Sequence, residues 1–273
     1  MSEKSKAAAH DARIAAMFTE IAVAASLAIL RYDCRNVTAH QKADQSPVTV
    51  ADGESEEVIL RGLATVLQGL PVVSEESVEA WATRQPGPEY VLVDPLDGTR
   101  EFLAGRDEYT VNIALVRDGV PVVGVVAAPG LGIVWRGATG HAERLRVSPG
   151  GEIHQRVAIR TRPWPAGERT AAVSRSHYEP ASAAFLERFA PVVPVSCGSA
   201  LKFCRVAEGA IDLYPRLAPT SEWDVAAGHA LVVAAGGAVT APDGSTLAYG
   251  RGTEGFRVPG FVCWGDAVMA RTT

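Results

Sequence analysis

Tyr90-Val91-Leu92-Val93-Asp94-Pro95-Leu96-Asp97-Gly98-Thr99-Arg100-Glu101-Phe102 runs an apolar segment into a corner crowded with oxygen donors. The first four residues read as a buried strand. Pro95 has a fixed φ and no N–H, so the strand is predicted to end there and the chain to turn. Gly98 lets backbone come close to a ligand, and Thr99 opens a helix. Asp94, Asp97, the free carbonyl of Leu96 and the Thr99 hydroxyl then meet at one point, where like charges repel unless a cation lies between them. Oxygen donors without His or Cys favour Mg2+, Ca2+ or Mn2+ over Zn2+. The alternative is a capped turn, because Asp-Pro and Asp-Gly pairs are common turn formers.

A chain of 273 residues with 47% hydrophobic and 7% aromatic content can bury a substantial α/β core. Two lobes are expected, residues 1–164 and 165–273, with the boundary in an Arg-, Gly- and Pro-rich stretch of weak periodicity at 142–165. A net charge of −5 and a pI near 5.7 argue against a grip on a nucleic acid polymer. The four cysteines show no Cys-x-x-Cys spacing, so neither a structural zinc site nor a disulfide framework is expected. Residues 21–30 form the most apolar helical stretch, about half of the ~20 residues a membrane span needs. The expectation is a cytoplasmic protein with no integral membrane association.

Apolar residues at helical spacing predict a first helix over 12–32. A β-like segment at 48–50 leads to Asp52, which reads as the N-cap of a helix running to residue 67. Lys42 reads as a solvated charge. A short strand at 71–74 delivers Glu75 and Glu76, either as surface charge or, since neighbouring strand ends converge at one sheet edge, as a third carboxylate beside Asp94 and Asp97. A hairpin is predicted from 109–116 and 120–127 around Asp118-Gly119, with another strand at 132–137. In the second half, strands are expected at 170–173, 192–195 and 210–214, and a helix at 181–189. Gly198-Ser199 precedes a helical pattern, as an anion-receiving helix start does, although Ser199 also reads as a simple cap. Trp223-Asp224 opens a helix that ends at Gly236-Gly237, where Asp224 suits the helix dipole on its own account.

Ser74-Glu75-Glu76-Ser77, Asp94-Pro95-Leu96-Asp97-Gly98-Thr99 and Trp223-Asp224-Val225-Ala226-Ala227-Gly228, in that order, resemble the lithium-sensitive magnesium phosphomonoesterase superfamily that includes inositol monophosphatase. Within it the chain resembles the bacterial 3′(2′),5′-bisphosphate nucleotidases of the CysQ type. The motifs that carry this are Lys42-Ala43-Asp44, Ser46-Pro47-Val48-Thr49, Thr99-Arg100-Glu101-Phe102, Ser174-Arg175-Ser176-His177, Gly198-Ser199-Ala200-Leu201-Lys202-Phe203-Cys204 and Leu213-Tyr214-Pro215-Arg216. The resemblance spans residues 42–264. Arg100-Glu101 stands where inositol monophosphatases usually carry Thr-Asn.

The resemblance implies a layered αβαβα sandwich of the inositol monophosphatase-like type. It implies two or three Mg2+ ions, replaceable by Mn2+, held by Glu75, Asp94, the Leu96 carbonyl, Asp97 and Asp224. Thr99 with Asp52 would orient the attacking water, and with Glu75 they are the implied catalytic residues. Glu75, Leu96, Asp97, Gly98, Thr99, Ser176, His177, Ser199, Lys202, Arg216 and Asp224 would face the substrate. The implied reaction removes the 3′-phosphate of adenosine 3′,5′-bisphosphate by metal-assisted water attack, without a phosphoenzyme. 3′-Phosphoadenylyl sulfate is a second candidate substrate and a homodimer the candidate assembly. An inositol or fructose 1,6-bisphosphate phosphatase is the alternative. A catalytically dead scaffold would have lost a ligand or the Thr–Asp pair, and none is missing here.

Overall fold

The structure, a computed structural model, describes residues 3–42, 46–174 and 179–272. In chain order the elements are α1 (Glu3–Ile29), β1 (Ala39–Gln41), β2 (Pro47–Thr49), α2 (Val50–Val66), β3 (Val72–Ser74), β4 (Glu89–Asp97), α3 (Thr99–Leu103), β5 (Thr110–Arg117), β6 (Val120–Ala128), β7 (Ile133–Ala138), β8 (His141–Val147) and β9 (Ile153–Ala158). Then follow β10 (Arg169–Ser174), α4 (Pro180–Glu187), β11 (Val192–Cys197), α5 (Leu201–Ala207), β12 (Leu213–Arg216), β13 (Thr220–Ser221), α6 (Glu222–Ala234), β14 (Ala238–Thr240), β15 (Arg257–Val258) and β16 (Phe261–Trp264). β3 to β9 form a seven-stranded sheet in sequence order, antiparallel except for the parallel β3–β4 pair. The second sheet has five strands in the order β11-β10-β12-β16-β14.

Strand alternation sorts side chains between layers. On β4, Val91 and Val93 pack with Ile14, Phe18 and Ile21 of α1 and Ile59 and Leu63 of α2. Tyr90 and Leu92 turn the other way, toward Phe203 of α5 and Val225 and Leu231 of α6. The second sheet closes that layer with Tyr214, Phe261 and Cys263, and its opposite face, Leu213, Val262 and Trp264, receives Phe185 and Leu186 of α4. The order is therefore helix, sheet, helix, sheet, helix, the αβαβα sandwich expected. Glycines let the middle helix lie directly on the first sheet: a Cβ on Gly124 of β6 would sit 2.1 Å from the Ala227 carbonyl oxygen.

Several expectations need correction. β4 does not stop at Pro95 but continues to Asp97, because a register shift between Asp94 and Asp97 absorbs the missing donor. The stretch 142–165 is not irregular at its start: β8 and the edge strand β9 extend the first sheet, and their half-exposed, charged faces hide their period. The strand expected at 210–214 is shifted to Leu213–Arg216. α1 is longer than its apolar centre, since an Ala-rich first half extends it to 27 residues. Among the described residues it is the one helix long and apolar enough to cross a membrane, yet 61% of its most apolar stretch is buried within the protein. All four cysteines are free.

Candidate active site

The register of the parallel β3–β4 pair sets Ser74 opposite Val93, so the next residues, Glu75 and Asp94, emerge side by side. Asp224 reaches the same edge from the first turn of α6, as the helix's third residue, closing a capping box whose cap is Ser221. One carboxylate oxygen from each of Glu75, Asp94 and Asp224 lies within 4.8 Å of the others. Burial first, and then repulsion from Asp224, pushes the Glu75 carboxyl up to about 7 although Lys42 opposes it. Burial with repulsion from Glu75 and Asp97 raises Asp94 well above the carboxylate range. Asp97 is pushed up to about 6, by burial and then by Asp224. A converging set of carboxylate oxygens, one buried and the rest half-buried, that repel one another fits a hard divalent cation. Lys42 is not a solvated charge: its Nζ donates to Glu75 Oε1 at 2.7 Å and Glu76 Oε1 at 2.6 Å.

Asp52 is the third residue of α2 and not its cap; Thr49 is the N-cap. Asp52 Oδ2 accepts from the Thr49 N–H at 2.8 Å and the Thr49 hydroxyl at 2.7 Å. Its Oδ1 accepts from Thr99 Oγ1 at 3.0 Å, so a capping carboxylate also holds the hydroxyl that follows Asp94-Pro95-Leu96-Asp97-Gly98. Thr99 Oγ1 also lies 3.3 Å from the Leu96 carbonyl oxygen, while Ser55 Oγ holds the preceding Pro95 carbonyl at 2.7 Å. Burial raises the Asp52 carboxyl against these hydrogen bonds. Gly98 caps α3 with φ of 93°, and a Cβ there would lie 2.1 Å from Ser199 Oγ. The room left by the missing side chain is thus taken by Ser199.

Glu75, Asp94, Leu96, Asp97, Gly98, Thr99, Ser199, Lys202, Arg216 and Asp224 all line one cavity of about 380 Å³. Ser199 is not a helix cap, since Ala200 holds that position in α5. Its hydroxyl faces the carbonyl oxygens of Asp97 at 2.9 Å and Glu108 at 2.8 Å. Lys202 is buried, with Nζ on the carbonyls of Ser199 at 2.7 Å and Cys197 at 3.3 Å, and burial lowers its pKa while Asp97 opposes the change. Nε of Arg216 is buried without a hydrogen-bond partner among the described residues. Ser176 and His177 lie outside the described residues. A second, largely apolar cavity of about 720 Å³ adjoins the first and shares Ser174, Tyr214, Arg216 and Pro219 with it. No residue of 142–165 lines either cavity.

Reading the sequence missed the residues that fix these carboxylates. Thr110 Oγ1 approaches Asp97 Oδ2 at 3.3 Å, with Asn112 Nδ2 at 3.5 Å, and the Thr220 hydroxyl donates to Asp224. Thr110 and Asn112 sit two apart on β5, so strand periodicity was a usable signal for both. Glu108 binds Gly198 N–H from a loop, where no period exists.

The inositol monophosphatase family model matches residues 10–259. A protein of Salmonella typhimurium named 3′(2′),5′-bisphosphate nucleotidase CysQ is 45% identical over 221 residues, 81% of this chain and 86% of its own length. The crystal structure of CysQ from Bacteroides thetaiotaomicron superposes with a TM-score of 0.75 at 33% identity, covering 92% of this chain and 97% of that one. An inositol monophosphatase from Anabaena matches the fold with a TM-score of 0.72 at 24% identity, over 95% of this chain and 93% of its own. With its carboxylates, fold and sequence in agreement, the chain belongs to the inositol monophosphatase family.

Proposed function

We propose that this protein is a magnesium-dependent 3′(2′),5′-bisphosphate nucleotidase that converts adenosine 3′,5′-bisphosphate and water to AMP and phosphate. The observation that carries the reading is that one cavity is lined by both the carboxylate cluster and the cations Lys202 and Arg216. A monophosphate needs the first group; a second phosphate needs the other. The CysQ relatives support the nucleotide, as does the adjoining apolar cavity, which suits a nucleoside better than a polyhydroxylated ring.

Glu75, Asp94, the Leu96 carbonyl, Asp97 and Asp224 would hold two or three Mg2+ ions, with Mn2+ able to replace them. Such ions neutralise the phosphate, lower the pKa of water and stabilise the leaving oxygen. Thr99 donates its proton to Asp52, which leaves its lone pairs to accept from the attacking water. Water thereby presents its oxygen to phosphorus, and its proton has a path through Thr99 toward Asp52. The P–O bond to the 3′-oxygen breaks as the new P–O bond forms, and that oxygen takes up a proton from solvent. Lys202 and Arg216 would hold the 5′-phosphate, with Ser176, His177, Ser199 and Gly98 as further substrate contacts.

We further take residues 1–164 and 165–273 as two lobes with the site between them. 3′-Phosphoadenylyl sulfate as a second substrate, inhibition by Li+, a homodimer and a cytoplasmic location complete the proposal. The test is phosphate release from adenosine 3′,5′-bisphosphate, inositol 1-phosphate and fructose 1,6-bisphosphate at equal concentration, with Mg2+ and with chelator. A Mg2+-dependent preference for the nucleotide is expected. Equal or faster turnover of the other two would replace the nucleotidase with a sugar or inositol phosphatase.

A further inference from the structure

Glu108 lies in the loop between α3 and β5, and the cavity does not include it. Its carboxylate Oε2 accepts from the Gly198 N–H at 2.9 Å, and its carbonyl oxygen accepts from the Ser199 hydroxyl at 2.8 Å. The contact is tight enough that a Cβ on Gly198 would lie 2.8 Å from that carbonyl and 2.9 Å from the Glu108 Cβ. Ser199 is held with φ of 47°, a left-handed conformation that residues with a side chain rarely adopt. The surrounding structure must impose it, and Glu108 grips the turn on both sides of the Gly198–Ser199 peptide.

The strained turn points three groups at Asp97. The Ser199 hydroxyl, its proton shared with the Glu108 carbonyl, lies 2.9 Å from the Asp97 carbonyl oxygen, the Ala200 amide bonds the Asp97 carboxylate, and the Lys202 ammonium, itself anchored on the Ser199 carbonyl, lines the same cavity as Asp97. Asp97 comes from β4 in the first sheet, whereas the turn joins β11 of the second sheet to α5. One loop carboxylate therefore sets the distance between a carboxylate ligand and a cation of the substrate cavity.

We infer that Glu108 is a positioning residue: by holding the Gly198–Ser199 turn in its left-handed form, it presents the Asp97 carboxylate as a metal ligand and aims Lys202 at the substrate. The inference rests on the metal-dependent reading given above. An outer residue that orients a ligand typically affects metal affinity about 10–100-fold.

Direct Mn2+ titration by electron paramagnetic resonance, on the full chain and without substrate, tests it. Glu108→Ala is expected to weaken Mn2+ binding by about tenfold and to raise KM more than it lowers kcat, while Glu108→Gln, which keeps an acceptor oxygen, stays within about twofold of the parent. Gly198→Ala, which drives a methyl group into the same contact, should reproduce the Glu108→Ala loss and decides the matter if Glu108→Ala does not fold. Parental Mn2+ affinity in a folded Glu108→Ala or Gly198→Ala protein overturns the inference. Mn2+ binding by the parent protein without nucleotide turnover would instead remove the nucleotidase reading and leave the Glu108 comparison readable.

Discussion

Thr99 Oγ1 donates to Asp52 Oδ1 across 3.0 Å, while Thr49 holds the other oxygen of Asp52 through its main-chain N–H and its hydroxyl. The pair is thus pre-aligned by the first turn of a helix. Thr99→Val keeps the shape and removes the hydroxyl, and kcat is expected to fall about 10²–10⁴-fold, the range of a positioned proton acceptor, with KM and Mn2+ affinity unchanged. Steady-state kinetics check this. A rate within a few-fold of the parent would mean that the hydroxyl serves only to tie α3 to α2.

Three crowded carboxylates, Asp94 buried and Glu75 and Asp224 half-buried, repel one another and cost stability until a cation joins them. Asp94→Asn keeps an oxygen to accept the Leu96 N–H, now bound at 3.1 Å, yet removes a charge. In chelator at pH 8 the variant should melt several degrees above the parent, since about 1 kcal/mol moves the midpoint by about 2–4 °C for a chain of this size. With Mg2+ the order should reverse and turnover should vanish. Calorimetry with and without metal reads both; a lower midpoint in chelator would sink the idea.

The pH dependence follows from the same charges. Burial and then repulsion from Asp224 push Glu75 up to about 7 and Asp97 up to about 6 in the folded protein, above their ordinary 4.5 and 3.8. The folded state binds the extra protons, so this contribution to stability is full below about pH 4 and is lost as the pH rises through about 7. The metal-free protein should lose several degrees of melting temperature between pH 5 and 8, and saturating Mg2+ should flatten the curve. Activity at limiting Mg2+ should climb over the same interval and shift to lower pH with excess Mg2+, because protons and ions compete for the same oxygens. A metal-free midpoint that rises from pH 5 to 8 would contradict the assignment.

Lys42 bridges Glu75 and Glu76 with its side chain 22% exposed. Lys42→Met should lower the midpoint of the metal-free protein, because removing one partner of a half-buried ionic cluster leaves the other unbalanced. Added Mn2+ should close most of the gap by supplying the positive charge. The same melting series without and with Mn2+ decides; a gap unchanged by metal means that Lys42 matters for packing alone.

A Cβ on Gly228 of α6 would lie 2.3 Å from the ring of Phe203, which is buried. Gly228→Ala should therefore destabilise by about 1–3 kcal/mol through overpacking. The helix that shifts carries Asp224, so Mn2+ affinity should fall with stability. A stable variant with weakened binding, or the reverse, would show that the two are not coupled through α6.

The layers were legible where period and burial coincide. β4, β5 and β6 read directly from their apolar runs and the Asp118-Gly119 turn, and α6 from its closing glycines. β8 and β9 were lost because an edge hairpin shows charge on its exposed faces and no clean alternation. Pro95 misled for a physical reason: a bulge tolerates proline where a regular ladder does not, and β4 carries its bulge at the site. Glu75 and Asp94 could be brought together by strand-end logic, whereas Asp52 looked complete as a cap. Its second bond, to Thr99, is a tertiary contact that no local pattern encodes.

Asp224 completes a cluster whose other members, Glu75 and Asp94, lie far earlier in the chain. At synthesis rates of about 5–20 residues per second, the first sheet leaves the ribosome on the order of ten seconds before α6 does. For that interval the nascent first sheet carries adjacent acidic groups without the helix that covers its inner face. A chain that ends before α6 therefore lacks one carboxylate of the cluster, the helix on which both sheets pack, and the strands β14 and β16 of the second sheet.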